Sequence, residues 1–253
     1  MYNALSRLPW WLIAILFAGV LLLWQFLTNE TYVVILSRVI NGLGVTITVT
    51  IFGYAIAVTL GLILGLGRVS SNVVLYNLAT LYVQIVRGVP ILVLIFYIAL
   101  VLIPPVLQLF GIRPATFDFT FRAIIALGLA YGGFEAETFR AGIQSVSKGQ
   151  MEAARSLGMS YAQAMRYVIL PQAIRRILPP LGNDFISMLK DSSLVSVLGV
   201  ADVTNLARLY AAASFRYAET YNTLAFMYLS MTLVLSLLVR WVERKLGPEG
   251  RSG

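Results

Sequence analysis

Apolar stretches separated by short polar intervals run along nearly the whole chain. Each is at least 18 residues long, which as a helix is enough to cross the roughly 30 Å hydrocarbon layer of a membrane. The pattern therefore predicts an all-α integral membrane protein with about six transmembrane helices, at Trp10–Leu27, Val39–Gly67, Val73–Ile103, Ala123–Val146, Leu181–Val200 and Thr220–Val239.

Composition supports a membrane protein and excludes several kinds of chemistry. Apolar residues make up 59% of the chain and charged residues only 12%, about half the usual globular share. The sequence contains neither cysteine nor histidine, which excludes disulfides, thiol catalysis and histidine-based metal or acid–base sites. We predict no catalytic residue and no metal site. The net charge of +8 does not indicate nucleic-acid binding, because the basic residues lie at the ends of apolar segments.

The first apolar stretch, Trp10–Leu27, has two interpretations. Arg7 precedes it, as in a cleaved signal peptide. The stretch is longer than an ordinary signal core, however, and no small-x-small cleavage site follows it. We expect a retained helix.

The distribution of basic residues predicts the orientation. With six spans, one side holds eleven lysines and arginines: Arg7, Arg68, Lys148, Arg155, Arg166, Arg175, Arg176, Arg240, Arg244, Lys245 and Arg251. The other side holds five: Arg38, Arg113, Arg122, Arg208 and Arg216. Because positive residues remain on the cytoplasmic side, we expect both termini in the cytoplasm.

The stretch Val73–Ile103 is too long for a straight span and is expected to kink at Gly88 and Pro90. Pro104-Pro105 is expected to end it. Before the kink, polar residues at spacings of three and four mark one helix face: Asn77, Thr80, Gln84 and Arg87. A polar face at membrane depth must lie against protein or a water-filled path.

Other charges interrupt the later spans, and they have two interpretations. Glu137 and Arg140 are i,i+3 neighbours that can pair. For Glu135, the structural alternative to a functional role is a cytoplasm-facing residue paired to a basic neighbour. The candidates are either helix ion pairs or the lining of a translocation path: Arg87, Glu135, Glu137, Arg140, Asp184, Lys190 and Asp191. After the fifth span, residues Ala201–Glu219 read as a short amphipathic link.

The segment Met151–Leu194 is the longest polar-rich interval between strongly apolar stretches. Its apolar positions recur near helical spacing, at Met151, Ala154, Ala162 and Met165. Gly158 allows a sharp bend or a close approach, and Pro171 is expected to end the preceding helix. Such a helix–bend–helix can fill a groove on a soluble partner. An ordinary surface helix is the alternative.

The residues of this segment closely resemble the EAA loop in permease subunits of bacterial ABC importers, with Val168 in place of isoleucine. The resemblance implies that the ATPase-coupling residues are Glu152, Ala153, Ala154, Gly158, Leu170 and Pro171. Further runs resemble the polar amino-acid branch of that family: Arg87-Gly88-Val89-Pro90, Glu137-Thr138-Phe139-Arg140-Ala141-Gly142-Ile143 and Lys190-Asp191-Ser192-Ser193-Leu194. The resemblance covers roughly Gly42 to Lys245.

This resemblance implies a five-helix permease core with an extra N-terminal helix. We expect residues 1–38 to form that helix and a short external loop, and residues 39–245 to form the permease domain. The EAA loop is expected at about 147–180 and a cytoplasmic tail at 246–253.

The resemblance also implies partners: two ATPase subunits, a second permease subunit and an extracytoplasmic amino-acid-binding protein, all acting at the bacterial inner membrane. The chain has no Gly-x-x-x-x-Gly-Lys-Ser/Thr phosphate loop. We therefore expect a transport subunit without cofactors of its own, with ATP and magnesium bound by the partner ATPase.

Two other functions were weighed against this one. In an ion-coupled secondary transporter, intramembrane acids such as Glu135, Glu137 and Asp184 would carry protons or sodium. Such folds usually contain two repeated halves, and this sequence shows no internal repeat. An intramembrane enzyme is disfavoured because the sequence shows no convincing nucleophile–base pair or acidic dyad.

Overall fold

The computed structural model describes residues 10–246, and all regular structure in that part of the chain is helical. Arg7, Arg251 and the predicted tail after Leu246 lie outside the described residues. The α-helices are α1 (Trp10–Thr28), α2 (Glu30–Val39), α3 (Leu43–Arg68), α4 (Val73–Gly88), α5 (Ile91–Phe96), α6 (Ile103–Leu109), α7 (Phe119–Gln144), α8 (Lys148–Ser156), α9 (Tyr161–Ala164), α10 (Leu170–Asp191), α11 (Val203–Ser214) and α12 (Tyr217–Leu246).

The centre of the molecule is the long contact between α3 and α7. Small residues on both helices let the backbones approach closely, as in other membrane helix pairs. A Cβ atom at Gly61 would collide with Glu135, and one at Gly65 would lie 2.6 Å from Phe139 Cβ. Around this pair, buried apolar residues from α3, α5, α7 and α10 form the main core, including Val49, Ile95, Leu127 and Met188.

The predicted break in the third apolar stretch is confirmed. Helix α4 ends at Gly88, and α5 begins at Ile91 after Pro90. Val89 between them is extended, with φ −109° and ψ 136°, which is the conformation that a residue before proline prefers.

Two predicted helix ends are wrong. Pro104-Pro105 lies in the first turn of α6, directly after the π-helical turn Tyr97–Leu102. In the same way, Pro171 lies in the first turn of α10, directly after the π-helical turn Met165–Ile169. A π turn is wider than an α turn, so the proline ring does not clash with the turn before it. The backbone hydrogen bond that proline cannot donate is also not required there. Both helical paths therefore continue through their prolines.

The short loop predicted before residue 39 is also wrong, since Glu30–Val39 forms helix α2. Asn29 caps it by accepting a hydrogen bond from the Thr31 backbone N–H. Ile35 and Val39 are fully buried, against Val203 and Ala207 of α11 and Leu224 of α12. The apolar residues of this segment have helical spacing. Because the segment directly follows the first apolar stretch, it resembles a short connection between two spans.

By length and hydropathy, three helical segments among residues 10–246 suffice to cross a membrane: Glu30–Arg68, Ile91–Leu109 and Tyr217–Lys245. Tyr161–Leu198 and Val203–Ser214 add a fourth if this pair, bent by 52°, is one span. Of the other predicted spans, Val73–Gly88 and the Gly19–Thr28 part of α1 are shorter apolar helices. Helix α7 is long enough but carries four charged residues, Arg122, Glu135, Glu137 and Arg140. The all-α membrane fold is confirmed, with several apolar helices.

Candidate functional site

The predicted helix–bend–helix is present between α7 and α10. Helix α8 ends at Ser156, and Ser160 caps α9 in a reciprocal capping box with Gln163. Gly158 between them has φ +87°, a left-handed conformation that costs residues with a Cβ about 1–2 kcal/mol. No atom lies within 4 Å of the position of a Cβ there. Of the two predicted roles for this glycine, the structure shows the bend and not a close approach.

The exposed side of this unit combines apolar and polar groups. Leu157 is 82% exposed beside the bend, and Tyr161 is 51% exposed at the start of α9. Glu152, Ala153 and Gly158 are exposed too. Single exposed apolar residues are common on protein surfaces, so the resemblance to the EAA loop, and not this exposure alone, indicates a contact surface.

Other residues of the unit face inwards. Ala154 is buried, as expected of its apolar face, whereas Ala162 is exposed and Ala164 is buried in its place. The apolar period predicted across the bend is therefore wrong at Ala162. The left-handed Gly158 resets the helix phase, so one period does not continue from α8 into α9.

A small apolar cluster attaches the unit to the end of α7. Met151 and Met165 pack against a buried group that includes Ile143, Val146 and Ile169. Beside it, the Arg176 guanidinium donates to the backbone carbonyl of Ser145 at the end of α7. These contacts make the unit an extension of the helix bundle and not a free loop.

From Tyr161 to Leu198 the chain is one continuous helical path. Half-buried Leu170 and exposed Pro171 lie near its start. Asp184 and Asp191 lie further along the same path, in α10. The start of α9 is thus joined, without a loop, to the partly buried acids of α10.

The charges near the end of α7 form a network around Glu137. Its carboxylate pairs with Arg68 at the end of α3 and with Arg140 one turn away on α7. Arg87 Nη1 lies 3.8 Å from Glu137 Oε2. Every ion pair among residues 10–246 involves this one carboxylate. The predicted Glu137–Arg140 pair is therefore present, and Arg87 lies within reach.

Sequence reasoning missed Arg68 as a member of this network. It was counted only as an orientation signal at the end of an apolar stretch. The sequence of α7 shows that Glu137 is an acid, but it does not show which other helix supplies a basic partner.

Glu135 does not pair with a basic neighbour, so that hypothesis is wrong. The residue is 0% exposed and forms no ion pair, and neither of its carboxylate oxygens meets hydrogen-bond geometry among the described residues. The Tyr54 hydroxyl is close enough to interact with it. Two residues along a helix correspond to a rotation of about 200°. Glu135 therefore points into the bundle beside Gly61 of α3, whereas Glu137 points towards the arginines.

Hydroxyl groups bind the two acids of α10. Thr138 Oγ1 lies 3.3 Å from Asp184 Oδ2, and Tyr131 donates to Asp191 at 2.8 Å. Lys190 is exposed. Neither Tyr131 nor Thr138 is among the predicted site residues, although both lie on α7 in the same stretch as Glu135 and Glu137.

The polar face of α4 lies on the outer surface of the helix bundle. Asn77, Gln84 and Arg87 are exposed, and the partly buried Thr80 hydroxyl has no hydrogen-bond partner among residues 10–246. Since such groups are not tolerated against lipid, this face meets water or another protein chain.

These features define a helical membrane permease subunit. Residues 57–248 match the family described as the binding-protein-dependent transport system inner membrane component, and the chain belongs to that family.

Named relatives show where in this family the chain lies. It is 36% identical over 207 residues to the glutamine transport system permease protein GlnP of Escherichia coli (strain K12), covering 82% of this chain and 92% of the relative. It is 37% identical over 210 residues to the probable glutamine ABC transporter permease protein GlnM of Bacillus subtilis (strain 168), covering 83% and 94%.

A solved structure described as an amino acid ABC transporter with histidines contains a similar chain. That chain is 41% identical in sequence and superimposes with a TM-score of 0.73, covering 87% of this chain and 98% of its own length. The family, the named relatives and the fold thus agree on a multi-pass inner membrane permease.

Proposed function

We propose that this chain is the transmembrane permease subunit of an ABC importer that carries polar amino acids inwards. Glutamine is the first substrate to test, because two relatives at 36% and 37% identity are named as glutamine permeases. Hydrolysis of ATP in a separate subunit drives the transport, and that subunit docks on the unit around Gly158.

The observation that carries this proposal is the continuous helical path from Tyr161 to Leu198. It links the exposed Tyr161, at the start of α9, to the partly buried Asp184 and Asp191 of α10. A partner that moves the exposed end therefore moves these acids without an intervening flexible joint.

The rest of the proposed assembly is supported by the family to which the chain belongs. Two ATPase subunits bind ATP and magnesium, and this chain contributes no cofactor site. A second permease half, identical or related, covers the polar face of α4, and an extracytoplasmic binding protein delivers the amino acid. Both termini and the unit around Gly158 lie in the cytoplasm, in accordance with the positive-inside distribution.

Within the bundle we assign two roles to the charges. Arg68, Glu137 and Arg140 hold the ends of α3 and α7 in register, because these side chains pair directly. Arg87 and Lys190 are exposed and border the translocation path together with Asp184 and Asp191.

Reconstitution into proteoliposomes tests the proposal. The chain is purified with the proteins that accompany it, and uptake of radiolabelled glutamine is measured with and without ATP on the ATPase side. We expect uptake that stops when ATP is removed while sodium and proton gradients persist. Uptake that follows the ion gradients and ignores ATP would establish the ion-coupled transporter instead.

A further inference from the structure

A continuous apolar groove runs along α12 where this helix meets α3 and α10. Two adjoining cavities of about 510 and 410 Å³ form it, and they share Phe185, Leu235 and Leu238. From Ser230 to Glu243 the groove follows α12 for 14 residues, whose 13 helical steps span about 20 Å. This exceeds the half-thickness of the hydrocarbon layer, about 15 Å.

The lining of the groove suits a hydrocarbon chain. Of the eleven residues that line its larger cavity, only Thr50 and Ser230 are polar. The Thr50 hydroxyl donates within its own helix, to the Thr46 carbonyl. The exposed polar residues Asn77, Gln84 and Arg87 lie on α4, which does not line either cavity. Because the polar face of α4 requires water or protein, we place the second permease half against α4. The groove along α12 then remains open to lipid.

Basic residues lie just past the end of the groove that contains Glu243. Arg175 lies one helical turn beyond the lining residue Leu178, and Lys245 lies three residues beyond Val242. Neither forms an ion pair among residues 10–246. Lys245 Nζ lies 4.1 Å from the centre of the Trp241 ring. Arg240 and Arg244 add to this end of α12 against the single acid Glu243, so it carries a net positive charge.

We propose that this groove is a binding site for one anionic phospholipid. An acyl chain occupies the space between α3, α10 and α12, and Arg175 and Lys245 hold the phosphate. Basic pockets between membrane helices are known to bind anionic headgroups. This site does not depend on which solute the protein transports.

The chain provides a matched control for the groove itself. On another side of α3, a second apolar groove of about 630 Å³ is lined by Phe52, Ile63, Ile124 and neighbouring apolar residues. Ile63 and Leu238 are similarly exposed, at 62% and 55%. Ile63→Trp and Leu238→Trp therefore add the same bulk at exposed positions in the two grooves.

The experiment counts bound lipids by native mass spectrometry. The intact protein, with its co-purifying subunits, is taken from nanodiscs of equal parts phosphatidylglycerol and phosphatidylethanolamine. We expect one phosphatidylglycerol per copy of this chain to remain bound in the wild type and in Ile63→Trp, and to be lost in Leu238→Trp. In Arg175→Gln/Lys245→Gln its affinity should fall about thirty-fold, since each basic residue near a membrane surface contributes to anionic-lipid binding. Arg113→Gln, in the connection before α7, should have no effect.

Three results would overturn the site. One is equal retention of phosphatidylglycerol in all variants, and another is retention of phosphatidylethanolamine in its place. The third is coverage of the groove by a second permease half. The natural chain has no cysteine, so Leu238→Cys gives a single thiol, and cross-linking of this thiol to another permease chain would show that coverage directly.

Discussion

Glu135 and Glu137 lie two residues apart on α7 and have opposite surroundings. Glu137 binds Arg68 and Arg140, with Arg87 nearby. Glu135 is fully buried, and neither of its oxygens meets hydrogen-bond geometry among the described residues. One acid therefore stabilises contacts between helices, whereas burial of the other as a charge would cost free energy.

Glu137→Gln should lower the thermal stability of the purified protein. It removes the charge that Arg68 and Arg140 both bind, and it leaves these arginines partly buried. Because Glu137 is 26% exposed, we expect a cost of about 1–3 kcal/mol. The midpoint of thermal unfolding, measured by intrinsic fluorescence, should fall by several degrees.

Transport assays on the same variant separate the two interpretations of this network. If it holds the helices in register, the relative uptake rates of acidic, neutral and basic amino acids should stay as in the wild type. Unchanged stability with altered relative rates would place Glu137 on the translocation path.

Glu135→Gln should not lower the unfolding midpoint. The substitution replaces an unpaired buried acid with a neutral side chain of the same shape, so no ion pair is lost. The midpoint is compared with that of Glu137→Gln in the same detergent. A decrease as large as in Glu137→Gln would mean that the Glu135 carboxyl has a stabilising partner, either Tyr54 of this chain or a group in the assembled transporter.

Gly158→Leu should abolish transport and substrate-stimulated ATP hydrolysis while leaving membrane insertion intact. The left-handed backbone at φ +87° resists a β-carbon, so the bend that presents Leu157 to a partner is distorted. Uptake and phosphate release are measured in the same proteoliposomes.

Gly111→Leu is the control, because Gly111 also has a left-handed φ, of +71°, with no atom near its Cβ position. This residue follows α6, far along the chain from the bend. The Gly111→Leu variant should retain substrate-stimulated ATP hydrolysis. If Gly158→Leu transports normally, the unit around Gly158 does not couple ATP hydrolysis to transport.

Gly61→Ala should destabilise the contact between α3 and α7. Besides meeting the Glu135 side chain, a Cβ there would lie 3.0 Å from the Ala136 backbone nitrogen, which cannot move without shifting α7. Overpacking of this kind costs about 1–3 kcal/mol. Gly44→Ala on the same helix is the control, because no atom lies within 4 Å of its Cβ position. Equal unfolding midpoints for the two variants would contradict the close approach.

Reporter fusions after Arg7 and after Lys245 should both be cytoplasmic. The expectation rests on the eleven-to-five distribution of lysine and arginine between the two sides. Phosphatase and fluorescent-protein fusions at these positions report the side directly. An external signal after Arg7, or a mature chain without residues 1–27, would show that the first predicted span is wrong.

Local chemistry made much of the architecture readable in the sequence. Apolar length predicted the helices, because a membrane accepts only backbones that satisfy their own hydrogen bonds. The break before Pro90 and the bend at Gly158 were equally predictable, since proline and glycine restrict or release their own backbone angles. The Glu137–Arg140 pair follows from helical spacing within a single element.

Tertiary structure decided what depends on a second helix. Pro104 and Pro171 stay inside helical paths because a π turn precedes each, and a π turn has no local sequence signal as strong as proline itself. Arg68 reaches Glu137 across 69 residues of sequence, and Gly61 lies against Glu135 across 74. Spacing along one helix determines which face a residue occupies, but only the packing of helices determines whether that face meets an arginine, a glycine or lipid.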